Sequence, residues 1–335
     1  SRGSLPERRR TARLSRSPGL SDRTQDGLKT DLTTQDEQNP SQDATQERVM
    51  AQDLYAPYKP KSKGRSPGTL IPTNLALPAQ QALDACTRSH GDIDEFVMHR
   101  LGYGSREQMY GVLYAEQIDA LALAFDQKDR GKIFLNGDQT GNGKGRFGAA
   151  NIIDAKRQGY IPVFVTQKPN LYKSMLEDLA DIGFADIQPF FTNNNERISL
   201  SNGRVLRTGN AASQSEEMRA IAQQGDLGGY DAIFTTYNQL QSVNRKDTPR
   251  REFLRAIAEQ CVFIFDESHE AGGSVNKQDA WSTSGAMNRA DFVRWLVDNS
   301  ASAIFMSATA TKDPAVMDLY ARGTDAVHAV SSMAR

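Results

Sequence analysis

The sequence predicts an α/β fold: a three-layer sandwich with a mainly parallel sheet, preceded by a small helical region and a disordered N-terminal tail. Three observations predict it. Five short runs, at residues 132–136, 161–166, 231–235, 261–266 and 303–307, are apolar in succession rather than in alternation, as in strands buried on both faces. Helical stretches at 146–158, 171–181, 215–224, 250–260 and 289–299 separate them. The first run passes through a glycine-rich turn directly into a helix, which is how a strand is followed by its crossover in a parallel sheet.

Residues 1–52 are rich in Ser, Thr, Gln, Asp and Arg and have few apolar residues to order them, so a disordered tail is expected there. Its basic run, Arg8-Arg9-Arg10, reads as a solvated segment. Residues 53–78 carry Pro57, Pro60, Pro67, Pro72 and Pro78, a density that predicts an extended segment without helix. A helical extension is expected over 79–126. Ala82, Leu83 and Cys86 make its first apolar face, 94–101 its second helix, and 105–125 one continuous third helix. The α/β domain occupies 127–325, with a small hairpin inserted at 193–209, and 326–335 is a tail.

Bulk properties bound the function without naming it. The formal net charge is −1, so charge alone indicates no nucleic-acid partner. The two cysteines, Cys86 and Cys261, are far apart and build neither a metal set nor a disulfide framework, which suits a reducing cytoplasmic setting. No run approaches the roughly 18 apolar residues of a membrane span, and no signal peptide opens the chain. No membrane partner is expected. The first residue is Ser1 rather than Met, which suggests a piece or processed product of something longer.

The glycine-rich turn is Gly137-Asp138-Gln139-Thr140-Gly141-Asn142-Gly143-Lys144-Gly145-Arg146. Between a strand and a helix, this is the setting a phosphate loop needs. Gly141 and Gly143 let backbone N–H groups turn inward around a phosphate, the helix N-terminus adds partial positive charge, and Lys144 reaches the β- and γ-phosphates. Two features depart from the standard pattern. Asp138 stands where the first glycine belongs. Gly145 stands where a Ser or Thr hydroxyl would bind Mg2+. Without that hydroxyl, Mg2+ must rely on phosphates, water and Asp266, with Thr140 a substitute donor.

The run 261–266 ends in Asp266-Glu267-Ser268-His269. Ligands collect at the carboxyl ends of parallel strands. Asp266 there can hold Mg2+, directly or through water, and Glu267 can position and deprotonate an attacking water. His269 is placed to couple this end to its neighbours. The last strand ends in Ser307-Ala308-Thr309, small hydroxyls that can relay the state of the acidic pair. ATP and Mg2+ are the cofactors these elements predict.

These residues resemble helicase superfamily 2. Gly141-Asn142-Gly143-Lys144 is similar to its motif I, Asp266-Glu267-Ser268-His269 to motif II, and Ser307-Ala308-Thr309 to motif III. Within it, the Gly-Asp-x-Thr-Gly-x-Gly-Lys-Gly-Arg loop resembles that of Strawberry-notch-type ATPase domains, which share the glycine after the lysine. Tyr55-Ala56-Pro57-Tyr58, Asn170-Leu171-Tyr172 and Ala271-Gly272-Gly273 extend the likeness to large phage and plasmid methylase/helicase proteins of the antirestriction type. The resemblance spans roughly residues 55–322. It implies a RecA-like first lobe, ATP hydrolysis, and DNA as partner through backbone contacts. It also implies a bacterial cytoplasm, with a virion component as the alternative. It implies Gln117 as an adenine reader, and Thr166 and Lys168, then Thr235 and Thr236, as strand-end contacts to DNA. Superfamily members use a second RecA-like lobe whose arginines complete the site. The stretch after Thr309 is too short for one, so the chain alone is expected to hydrolyse ATP weakly.

Overall fold

The structure is a computed structural model that describes residues 54–137, 143–267 and 286–307. Two short strands, β1 (Tyr55–Pro57) and β2 (Leu70–Pro72), pair antiparallel and lead into α1 (Thr73–His90). The proline-rich stretch is therefore not extended throughout. The helix starts at Thr73, six residues before the expected point, and contains Pro78. Both Pro78 and Asn74, whose carbonyl loses its helical donor, are exposed, so water can satisfy that oxygen.

Three further helices complete the extension: α2 (Ile93–Leu101), α3 (Arg106–Val112) and α4 (Ala115–Asp129). The first two begin at side-chain caps, Asp92 accepting from the Glu95 N–H and Ser105 from the Gln108 N–H. The single helix expected over 105–125 is broken at Leu113 and Tyr114, both extended. The cause is a competing acceptor. The Ala115 N–H donates to the Arg65 carbonyl at 2.9 Å, and the Gln117 side chain takes the Tyr114 N–H at 2.8 Å.

Buried carboxylates fix the segment between β1 and β2. Asp119, fully buried, accepts from the Tyr58 hydroxyl at 2.9 Å and from the N–H groups of Lys61 and Ser62 at 2.8 Å each. Asp94 accepts from the Lys63 N–H and from the hydroxyls of Ser62 and Tyr110. Irregular backbone is held here by side chains where no ladder exists.

The main sheet comprises β3 (Phe134–Asn136), β4 (Ile161–Thr166), β5 (Pro189–Phe191), β8 (Ala232–Thr236), β9 (Cys261–Asp266) and β10 (Ser302–Met306), in the order β3-β10-β9-β4-β8-β5, with every pairing parallel. The edge strand β5 is an addition to the expected five. It is three residues long and opens with proline, too short for its pattern to stand out and tolerable only at an edge. The inserted hairpin is present as β6 (Arg197–Ser199) and β7 (Val205–Arg207).

Helices α5 (Lys144–Arg157) and α6 (Leu171–Asp181) join α1–α4 on one face, where Phe164, Phe234, Ile264 and Ile304 meet them. Helices α7 (Ala211–Gln224), α8 (Pro249–Ile257) and α9 (Arg289–Asp298) cover the other, against Val163, Val165, Phe263, Phe265 and Phe305. Successive residues of one strand thus feed two cores, which is why the strands are apolar without alternation.

Candidate nucleotide-binding site

Parallel register brings the functional strand ends to one level. Met306 is paired with Asn136 on one side and Asp266 on the other. The Ser307 N–H continues the ladder to the Asn136 carbonyl at 3.1 Å. The crevice at this end of the sheet contains the start of α5.

Helix α5 begins at Lys144 behind Gly143, which has φ of 79°, the left-handed region. A side chain there is excluded twice: by that backbone, and because a Cβ would lie 2.0 Å from the Gln117 Nε2. The Gln117 Nε2 donates to the Gly143 carbonyl at 3.1 Å while its Oε1 takes the Tyr114 N–H. Gln117 is buried, with both ends of its amide engaged. These two bonds hold its amide between Tyr114 and Gly143.

The Lys144 ammonium is buried and has no hydrogen-bond partner among the described residues; its nearest counter-charge is the Glu267 Oε1 at 3.5 Å. Its charge is balanced by Glu267 and by the nearby Asp266, but its hydrogen-bonding capacity is not used among the described residues. Phosphate oxygens would supply the missing acceptors. Glu267 has φ of 47°, left-handed for a residue with a side chain. Such a conformation costs about 1–2 kcal/mol, and strain of this kind gathers at functional positions.

Asp266 is held from two sides. The Thr166 hydroxyl donates to its Oδ2 at 3.1 Å and the Tyr237 hydroxyl to its carbonyl at 2.8 Å. Burial pushes its carboxyl above the usual range, and the Thr166 bond pulls it back. A divalent cation beside it would favour the ionised form further.

Among the other expected site residues, Arg146 lies in the first turn of α5. Its guanidinium donates to the Val112 carbonyl at 2.9 Å and to Asp181 at 3.2 Å, tying α5 to α3 and α6. Ser307 is fully buried. Thr166, Thr235 and Thr236 are buried too: Thr166 serves Asp266, and the Thr192 hydroxyl donates to the Thr235 hydroxyl at 2.7 Å. The hydroxyls of Thr166 and Thr235 are engaged inside the protein, whereas Lys168 is exposed. Asp138, Thr140, Gly141, Asn142, His269 and Thr309 lie outside the described residues.

Two features escaped the sequence reading. One is Asp178 on α6. A Cβ on Gly145 would lie 1.9 Å from its Oδ2, so its carboxylate lies directly over that glycine. Burial, then Asp181, pushes Asp178 up to about 6. The other is a cavity of about 330 Å3 beside Gly137, within the usual size of ligand pockets. Leu70, Leu75, Leu123 and Phe134 wall it, and Glu116 lines it with a buried Oε2 that has no hydrogen-bond partner among the described residues. Only the closure of the β1–β2 hairpin over α4 creates this cavity, so no local pattern announces it.

A lysine at a helix N-terminus behind a glycine turn, opposed by an acidic strand end on a parallel sheet, defines a P-loop NTP hydrolase fold. The chain matches the family described as P-loop containing NTP hydrolase pore-1 over residues 90–324, and it belongs to that family. No curated protein matches it. Among solved structures it is similar to the Sulfolobus solfataricus SWI2/SNF2 ATPase core in complex with dsDNA, at 16% identity and a TM-score of 0.38. That match covers 61% of this chain and 34% of the other, so the chain spans about a third of that structure. Among the described residues, no helix is long and apolar enough to cross a membrane.

Proposed function

We propose that the chain is the ATP-binding lobe of a DNA-dependent ATPase of the superfamily 2 helicase or translocase type. The observation that carries this reading is Lys144, a buried ammonium without a hydrogen-bond partner among the described residues, facing Glu267 at 3.5 Å. Lys144 binds the β- and γ-phosphates together with the first-turn N–H groups of α5. Asp266 would hold Mg2+, which when bound would supply positive charge to the phosphates. Glu267 orients the attacking water and takes its proton. Ser307, with His269 and Thr309, couples nucleotide state to neighbouring elements. The base lies in the cavity beside Gly137, where the Glu116 Oε2 can accept from an exocyclic amine. DNA is held through its backbone, with Lys168 the exposed side chain for it. The Strawberry-notch-type loop sequence supports a phage or plasmid methylase/helicase as the setting.

The test is ATP hydrolysis by the full chain, with and without DNA, alone and with a second RecA-like lobe supplied in trans. Turnover should rise with DNA and with the second lobe, and vanish in Lys144→Ala and Glu267→Gln. Hydrolysis that ignored DNA and followed a small metabolite would replace this reading with a phosphotransferase.

A further inference from the structure

Gly145 removes the hydroxyl that would contact Mg2+, yet a carboxylate oxygen lies close to where a side chain at 145 would begin. The Asp178 Oδ2 lies 1.9 Å from the position of a Cβ on Gly145. A serine at 145 would put its own oxygen one single bond from that Cβ. Both oxygens therefore lie close about the same point, one reached from α5 and the other across space from α6. Glycine at 145 and aspartate at 178 exclude any side chain in common: a methyl at 145 would collide with the carboxylate. No hydrogen bond or ion pair engages the Asp178 side chain among the described residues, although Arg146 and Asp181 are close by on the same two helices. Helix α6 is anchored beneath it by Tyr172, Met175, Leu176 and Leu179, so the carboxylate is presented from packed helix rather than from a loop.

We propose that Asp178 is a metal-positioning residue, supplying from α6 the oxygen that a Ser or Thr hydroxyl after the lysine would supply to nucleotide-bound Mg2+. This rests on the nucleotide reading above. It assigns the Mg2+ of that site to Asp178 together with Asp266, whose charge is near enough to act on Asp178. A carboxylate in place of a hydroxyl adds a negative charge beside the cation, which strengthens binding of the metal relative to binding of the nucleotide alone.

The test uses the full chain and separates metal from nucleotide. ATP affinity is measured by calorimetry in Mg2+ and in EDTA, and bound Mn2+ is followed by electron paramagnetic resonance in the presence of ATP. Asp178→Ala should keep its affinity in EDTA and lose about 10- to 100-fold of the gain that Mg2+ brings, with a weaker Mn2+ signal. Asp178→Asn should fall between. Gly145→Ala should lose the same gain by displacing the carboxylate, and the double variant should be no worse than either single one. Gly145→Ser combined with Asp178→Ala should recover Mg2+ dependence, because the serine now brings the oxygen. Full Mg2+ gain in Asp178→Ala, with an unchanged Mn2+ signal, would overturn the proposal. ATP binding that is absent, or indifferent to Lys144, would instead sink the nucleotide reading on which it rests.

Discussion

Lys144 contributes differently to folding and to binding. Its ammonium is buried, has no hydrogen-bond partner among the described residues, and faces the Glu267 carboxylate at 3.5 Å with Asp266 also close enough to act on it. Lys144→Met keeps the stem and removes the charge. It should leave the melting temperature without nucleotide unchanged or raised, while ATP no longer raises it at all; differential scanning fluorimetry with and without ATP checks both. Glu267→Gln should do the opposite, keeping the ATP-induced shift and losing turnover, since the amide accepts no proton from water. Thr166→Val removes the donor to the Asp266 Oδ2. A single such bond is worth about 1 kcal/mol or somewhat more when the acceptor is charged. The loss should appear in urea denaturation and be accompanied by weaker Mg2+-dependent hydrolysis. The sequence displayed Lys144, Asp266 and Glu267 because each has a fixed address, after a glycine turn or at the end of a buried strand. Asp178 had no such address. In the sequence it is one carboxylate among several on an amphipathic helix, and only the packing of α6 on α5 brings it over Gly145.

At the scale of elements, legibility followed burial. The strands β4, β8, β9 and β10 are apolar on both faces, and the sequence marks them within a residue or so of where they lie. Their aromatic residues form a continuous stack: Phe265 lies 5.0 Å from Phe305, 5.6 Å from Phe263 and 6.3 Å from Tyr237 between ring centroids. Tyr237 in turn holds the Asp266 carbonyl, so the core reaches the site directly. Phe265→Ala should cost about 3–5 kcal/mol in denaturant unfolding and loosen Asp266 as well. The N-terminal elements were less legible, because they are ordered by distant partners. Nothing between residues 58 and 65 marks a fixed segment until Asp94 and Asp119 are seen to take its N–H groups. Asp119→Ala strands the N–H groups of Lys61 and Ser62, at about 1–3 kcal/mol for each unsatisfied group. Hydrogen exchange should quicken at those two amides before it does in the sheet. The break between α3 and α4 has the same origin: the Arg65 carbonyl, far away in sequence, takes the Ala115 N–H.

Across the whole molecule, the two cores on either side of the sheet leave its carboxyl end as the place where loops, a helix N-terminus and carboxylates meet. The helical extension completes that end from one side. Through Gln117 it supports the carbonyl of Gly143, and through Glu116 and β2 it walls the cavity beside Gly137. The central claim is that this end binds ATP through Lys144. Equilibrium titration of the full chain with ATP in Mg2+ tests it most directly. The account predicts saturable binding of one ATP per chain, lost in Lys144→Met while that variant remains folded. Undiminished binding in the variant, or no binding by the unaltered chain, would contradict it.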